Sequence, residues 1–167
     1  MTTLDKIVER SISQTFGVKH HLLKTNGFMY SFVVLYDISN PKRDYASLEA
    51  KTIGIIFDEL VLNAIKAIYS VEEPYLASNR DKLKKRSGKI EVRVYEEQDK
   101  YGLSCKDNGC GISKKNKPLV FNNGVSTWSR AGLGLGRIRR HVTTLDGNIY
   151  FESKLHKGTT FYVELLK

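Results

Sequence analysis

Within the largely apolar run SLEAKTIGIIFDELVLNAIKAIYS over residues 47–70, three polar side chains are spaced to act together: Glu59, Asn63 and Lys66. Their i, i+4, i+7 spacing puts them on one stripe of a helix. Ile53, Ile56, Phe57, Leu60, Ala64 and Ala67 form one apolar face, and Ile55, Val61, Leu62 and Ile65 cover most of the remainder. Such a helix is expected to be buried on nearly every side. A carboxylate, an amide and an ammonium there cost on the order of several kcal/mol unless each is paired or faces a ligand. Two readings stay open. Glu59 and Lys66 offset each other in a satisfied network, or the stripe is a magnesium-phosphate site. In the second, the Asn63 amide oxygen is a hard ligand and Glu59, one turn away, takes a proton from water or polarises it.

A second candidate is DNGCGI at residues 107–112. Tyr101, Leu103 and Cys105 alternate on one face of a strand, and the same phase turns Asp107 inward. A carboxylate so placed needs donors, and the exocyclic amine of adenine is a good one. Gly109 and Gly111 permit a close approach of backbone to a flat ring and allow φ > 0. The plainer alternative is an Asx turn between strand and loop. The third candidate, AGLGLGRIRRH, sets Gly132, Gly134 and Gly136 before a helix pattern, so that backbone N–H groups and a helix N-terminus can face phosphate oxygens. No Gly-Lys-Ser/Thr follows, which excludes a Walker A loop, and the context for a dinucleotide fold is poor.

The elements that position these residues follow from periodicity. Leu4, Ile7, Val8, Ile12 and Phe16 mark a short amphipathic helix that docks on the body or on a second subunit. FMYSFVVLYDI from residue 28 reads as a strand, followed by the long helix of residues 47–70 and a basic segment, helical in part, to about Gly88. KIEVRVYE and YGLSCKD alternate as a hairpin around EQDK; residues 112–131 are irregular; residues 133–145 read as a helix; NIYFES and TTFYVELL close the chain through KLHKG. The order predicts an α+β fold, a two-layer sandwich with helices on one face of a mixed, mostly antiparallel sheet.

With 167 residues, 41% hydrophobic and 27% charged, the chain fits one ordinary globular domain. It has no run of about 20 apolar residues, and MTTLDKIVER lacks signal-peptide order, so no direct membrane insertion is expected and the location expected is cytoplasmic, alone or as the cytoplasmic part of a larger protein. Cys105 reads as core and Cys110 as a small loop residue, without a zinc pattern. Much of the +9 charge lies in RDKLKKRSGK, residues 80–89, and in Lys114, Lys115 and Lys117. That is either solvated surface or the footprint of a polyanionic partner.

In this order the motifs resemble the ATP-binding domain shared by sensor histidine kinases, DNA gyrase, Hsp90 and MutL repair proteins, the GHKL or Bergerat fold. The resemblance covers roughly residues 28–167, leaving residues 1–27 as a helical or linker segment. Its N box looks like DELVLNAIKAI, its glycine boxes are DNGCGI, GLGLG and KGTTF, and PLVFNNGVSTW looks like the phenylalanine box. The resemblance implies ATP and Mg²⁺ as ligands, with Asn63 holding the metal and Asp107 reading adenine with help from Thr159. It also implies Gly109 and Gly111 under the base, and Gly132 and Gly134 at the phosphates. By the same resemblance Lys66, Ile112, Ser126, Thr127 and Leu133 would complete the ATP-contacting set, and Glu59 and Asn63 would be the catalytic pair. A short lid between Ile112 and Leu133 would close over the nucleotide, with Lys114, Lys115 or Lys117 meeting phosphates.

The details lean toward the histidine-kinase branch, with a short lid and GTTF before the last strand. Glu59 is a departure: it stands where most sensor kinases have asparagine, and where gyrase, Hsp90, anti-sigma serine kinases and mitochondrial dehydrogenase kinases have a general base. Arg130 at the first glycine position and Trp128 after the Ser/Thr-Thr pair are others. Residues 1–27 are too few for a dimerising helical pair with a phosphoacceptor, and His20 and His21 lack its usual surroundings. The leading expectation is a kinase-type domain presenting the γ-phosphate to a protein acceptor on a separate domain or protein. A Glu59-dependent ATPase or serine kinase, and an ATP-gated module for a polyanion or protein, stay open. A homodimer stays open too, and nucleic acid is not favoured.

Overall fold

The computed structural model describes residues 2–16, 22–25, 28–38, 45–76, 88–122 and 134–167. Its elements are α1 (Leu4–Ser11) with a π-helical turn (Ile12–Phe16), β1 (Leu22–Thr25), β2 (Phe28–Asp37), α2 (Ser47–Leu76), β3 (Gly88–Glu96), β4 (Lys100–Asp107), a 3₁₀ turn (Lys117–Leu119), α3 (Gly134–Thr143), β5 (Asn148–Lys154) and β6 (Gly158–Leu166). The strands form a six-stranded sheet in the order β1-β2-β3-β4-β6-β5. Only β2 and β3 run parallel; every other neighbouring pair is antiparallel. The parallel pair arises because α2 and the segment after it separate the two strands, a connection long enough for a crossover.

The layering follows from the strand pattern. In β3 Ile90, Val92 and Val94 are buried while Lys89, Glu91 and Arg93 are exposed, so one face of the sheet carries the core. On that face α2 crosses β3 and β4, and α3 lies over β5. Ile53, Ile56, Phe57, Leu60, Val61 and Ala64 of α2 join Ile138 and Val142 of α3 and Val92, Leu103 and Phe161 of the sheet in one cluster. Cys105 is in that core, where burial pushes its thiol well up from its usual value.

The long helix is less enclosed than its composition suggests. Leu48 is 76% and Leu62 38% exposed, and Lys51 and Lys66 are also exposed. Leu48, Ile55 and Leu62 recur at a spacing of seven, which keeps them on the side away from the sheet. Apolar composition alone did not separate that side from the core face. The amphipathic N-terminal helix docks on the body, burying Leu4, Ile7 and Val8, and its Ser11 Oγ lies 3.2 Å from where a Cβ on Gly54 of α2 would stand. An isolated bridge between Thr2 and Tyr45 ties this end to the start of α2. The short strand β1 was not expected, because a run as brief as LLKT shows no period; it exists by pairing with β2.

Candidate functional site

The stripe on α2 faces the beginning of α3. A Cβ built on Gly134, the first residue of α3, would stand 3.3 Å from Glu59 Oε2 and 3.7 Å from Asn63 Oδ1. A bare glycine there lets the helix end come down on both side chains. Glu59 is paired, as the network alternative requires, but its partner is the Arg137 guanidinium of α3 rather than Lys66, which is exposed. The Glu59 side chain is 16% and that of Arg137 50% exposed. Asn63 differs from both, since its Nδ2 is buried with no hydrogen-bond partner among the described residues. Leaving an amide unpaired costs about 1–3 kcal/mol, and such an atom is a natural ligand contact.

About a turn further along α2, the Ala67 carbonyl accepts the Cys110 N–H at 3.0 Å, which brings the DNGCGI loop onto the same helix. The strand phase holds: Asp107, the last residue of β4, is buried, 6% exposed. Its Oδ1 accepts the Gly109 N–H at 2.8 Å and the Thr159 N–H at 3.3 Å, so the Asx turn and the inward carboxylate are both present. Its Oδ2 makes no hydrogen bond among the described residues. Burial pushes this carboxyl up from 3.8 to about 6, against the pull of the two N–H donors. Gly111, with φ of 67°, and Gly158, with φ of 113°, take left-handed conformations where side chains would overlap the Lys154 and Asp107 carbonyl oxygens.

Ser153 of β5 ties these pieces together. Its hydroxyl accepts the Ile112 N–H at 2.8 Å, donates to the Gly158 carbonyl at 3.1 Å and lies 2.9 Å from Thr159 Oγ1. With its own proton on Gly158, it takes the proton of Thr159, whose lone pairs are then left as acceptors. The stretch after Ile112 is anchored by Phe121, whose ring meets those of Phe151 and Phe161 edge-on at 5.7 and 6.4 Å. Lys114 and Lys115 are exposed, whereas Lys117 Nζ donates to the Ser153 carbonyl at 2.6 Å. Ser126, Thr127, Gly132 and Leu133 lie outside the described residues, as do His20, His21 and residues 80–87.

Among the described residues no group of three or more His, Cys, Asp or Glu side chains could hold a metal alone. The donors fit Mg²⁺ shared with phosphates instead: one neutral amide oxygen on Asn63 next to a helix N-terminus, with the remaining ligands left to phosphate and water. Sequence reasoning missed Arg137 and Ser153. Arg137 sits one turn into α3 beyond Gly134, so helical spacing alone could have placed it beside the glycine. Nothing local marks Ser153, because its partners come from distant parts of the chain.

Residues 49–167 match the model of the family described as histidine kinase-, DNA gyrase B- and HSP90-like ATPase. The chain belongs to this family. The match takes in every candidate site residue and leaves α1 outside. A probable C4-dicarboxylate sensor kinase from Halalkalibacterium halodurans is 30% identical over 115 residues, which is 68% of this chain and 19% of that protein. Among solved structures, the mycobacterial sensor histidine kinase MprB superposes with a TM-score of 0.67 at 17% identity, covering 99% of this chain and 95% of that one. The catalytic domain of histidine kinase ThkA gives 0.67 at 20% identity, covering 99% and 93%. The fold is therefore that of histidine-kinase catalytic domains, the α+β sandwich expected from sequence. No helix among the described residues of this histidine kinase-like ATPase domain is long and apolar enough to cross a membrane.

Proposed function

We propose that the domain binds Mg-ATP between α2, the end of β4 and the start of α3, and presents the γ-phosphate to a protein acceptor in two-component-like signalling. The observation that carries this is the pairing of two features on one helix. Among the described residues, Asn63 keeps a buried, unpartnered amide against Gly134, and about a turn away Ala67 holds the loop of Asp107, whose hydrogen bonds fall on one carboxylate oxygen. Adenine would give its exocyclic amine to Asp107, with Thr159 beside it, and the triphosphate would run toward the α3 N-terminus. Bound at Asn63, Mg²⁺ would neutralise phosphate charge. The chain itself supplies position: a fixed base end and a helix dipole at the other end leave the γ-phosphate oriented for in-line attack. An acceptor nucleophile then bonds to the γ-phosphorus as the bond to the β–γ bridging oxygen breaks, and ADP departs.

A second reading is favoured by Glu59, a carboxylate beside Gly134 that can serve as a base toward water or a serine hydroxyl. Incubation with γ-labelled ATP tests both. Label on a cognate acceptor protein supports transfer, Glu59-dependent release of labelled phosphate alone supports hydrolysis, and no nucleotide binding at all removes both. The acceptor, and whether two copies associate, are part of the same proposal.

A further inference from the structure

Glu59 and Arg137 meet across the gap between α2 and α3, and the partnership is unusual for both elements. A helix N-terminus carries partial positive charge and favours acids in its first turn. The first turn of α3 has none, and Arg137 brings a cation to that end, with Arg139 and Arg140 following. Such a helix start is electrostatically incomplete by itself. It is completed from outside, by Glu59, which faces Gly134 with one oxygen and Arg137 with the other. Packing does not require the pair, since Ile138 and Val142 already fix α3 with 0% and 1% exposure. Arg137 is half exposed and would be well solvated without a partner.

The consequence falls on the phosphate end. An ionised Glu59 beside Asn63 and Gly134 would repel a triphosphate and would be free to take a proton from water. Paired with Arg137, the charge of the same side chain is offset, with Oε1 held by the guanidinium and Oε2 turned toward Gly134. We infer that Arg137 is a positioning residue that neutralises Glu59, so that the site holds the γ-phosphate for an acceptor rather than losing it to water. This rests on the proposed ATP-binding function. The reaction it suppresses is attack of a water oxygen on the γ-phosphorus, with the water proton passing to Glu59 and the β–γ bridging bond breaking to give ADP and phosphate.

The test compares the unaltered chain with Arg137→Met, which keeps the aliphatic stem, with Glu59→Gln and with the double variant. Phosphate release is measured beside the affinity for a fluorescent, non-hydrolysed ATP analogue. Arg137→Met is expected to raise phosphate release about tenfold, short of the roughly 10²–10⁴-fold a fully positioned general base supplies, and to weaken analogue binding about threefold through the exposed charge of Glu59. Adding Glu59→Gln is expected to abolish the gain in release and to restore the affinity. Arg137→Lys, which keeps the charge, is expected to stay near the unaltered rate, and it stands in if the methionine variant does not fold: release then has to rise in Arg137→Gln and not in Arg137→Lys. Analogue binding without any rise in release would overturn the role of Arg137 and leave ATP binding standing. A rise that persists with Glu59→Gln would overturn it too. Failure of the unaltered chain to bind the analogue would overturn the proposed function and the inference with it.

Discussion

The Cys110 amide donates to the Ala67 carbonyl at 3.0 Å, joining the loop that carries Asp107 to the helix that carries Glu59 and Asn63. This one contact sets the distance between the two ends of the site. It also leaves no room at Gly109, where a Cβ would come 2.5 Å from the Ala67 carbonyl carbon and 2.7 Å from its oxygen. Gly109→Ala has to push the loop off the helix. It is expected to cost about 2–3 kcal/mol, as overpacking against backbone does, and to weaken nucleotide binding at the same time. Chemical unfolding followed by circular dichroism reads the first effect, and an unchanged midpoint would show that the loop has slack the geometry does not suggest.

Asp107 is expected to link binding and stability to pH in opposite directions. Its carboxyl sits at about 6 in the folded chain against an ordinary 3.8, so the folded state favours the protonated form. The stability it contributes is full below 3.8 and is lost as pH rises through about 6. Asp107→Asn should therefore be more stable than the unaltered protein by roughly 2–3 kcal/mol above pH 6, an advantage that shrinks toward pH 4. The proposed contact with adenine, however, would need the ionised acceptor. Affinity for ATP should fall about tenfold between pH 7 and pH 5, and the asparagine variant should bind weakly at both. Calorimetric titration across that range would contradict this assignment if the unaltered chain showed a flat profile.

Ser153 is the residue on which the base end converges, through Ile112, Gly158 and Thr159. Ser153→Ala leaves an N–H and a carbonyl without their partner and frees the Thr159 hydroxyl to rotate. A loss of about 1–3 kcal/mol in stability is expected, together with a loss of discrimination between ATP and GTP, because Thr159 no longer presents a fixed acceptor. Competition of the two nucleotides for the fluorescent analogue measures it. Unaltered selectivity would make the serine a purely structural link.

The elements were legible where a period or a glycine marked them. Alternation in KIEVRVYE and YGLSCKD located β3 and β4 and turned Asp107 inward, and GLGLG located the start of α3. What stayed hidden depends on contacts between distant segments. Strand β1 exists only through β2, the exposed side of α2 is defined by where the sheet is not, and Ser153 gains meaning only when β6 and Ile112 arrive beside it. Glu59 shows the same limit within a single site. Its place on the helix is readable, but the one partner that the sequence offers it is Lys66, since Arg137 belongs to another helix.

Asn63 separates binding chemistry from folding more cleanly than any other position. Its Nδ2 is buried without a partner among the described residues, so the folded chain gains nothing from it and bears a desolvation penalty. Asn63→Ala should then leave stability unchanged or raise it by up to about 1 kcal/mol, unlike most truncations of a buried polar side chain. Binding should move the other way. In the unaltered protein, removing Mg²⁺ with a chelator is expected to weaken ATP binding at least tenfold, because in the proposed site the amide oxygen and the phosphates would share the ion. In Asn63→Ala the affinity with Mg²⁺ should drop to the chelated value, and the chelator should have no further effect. If the variant keeps its full response to Mg²⁺, the metal is held elsewhere, and the unpaired amide beside Gly134 needs another ligand to explain it.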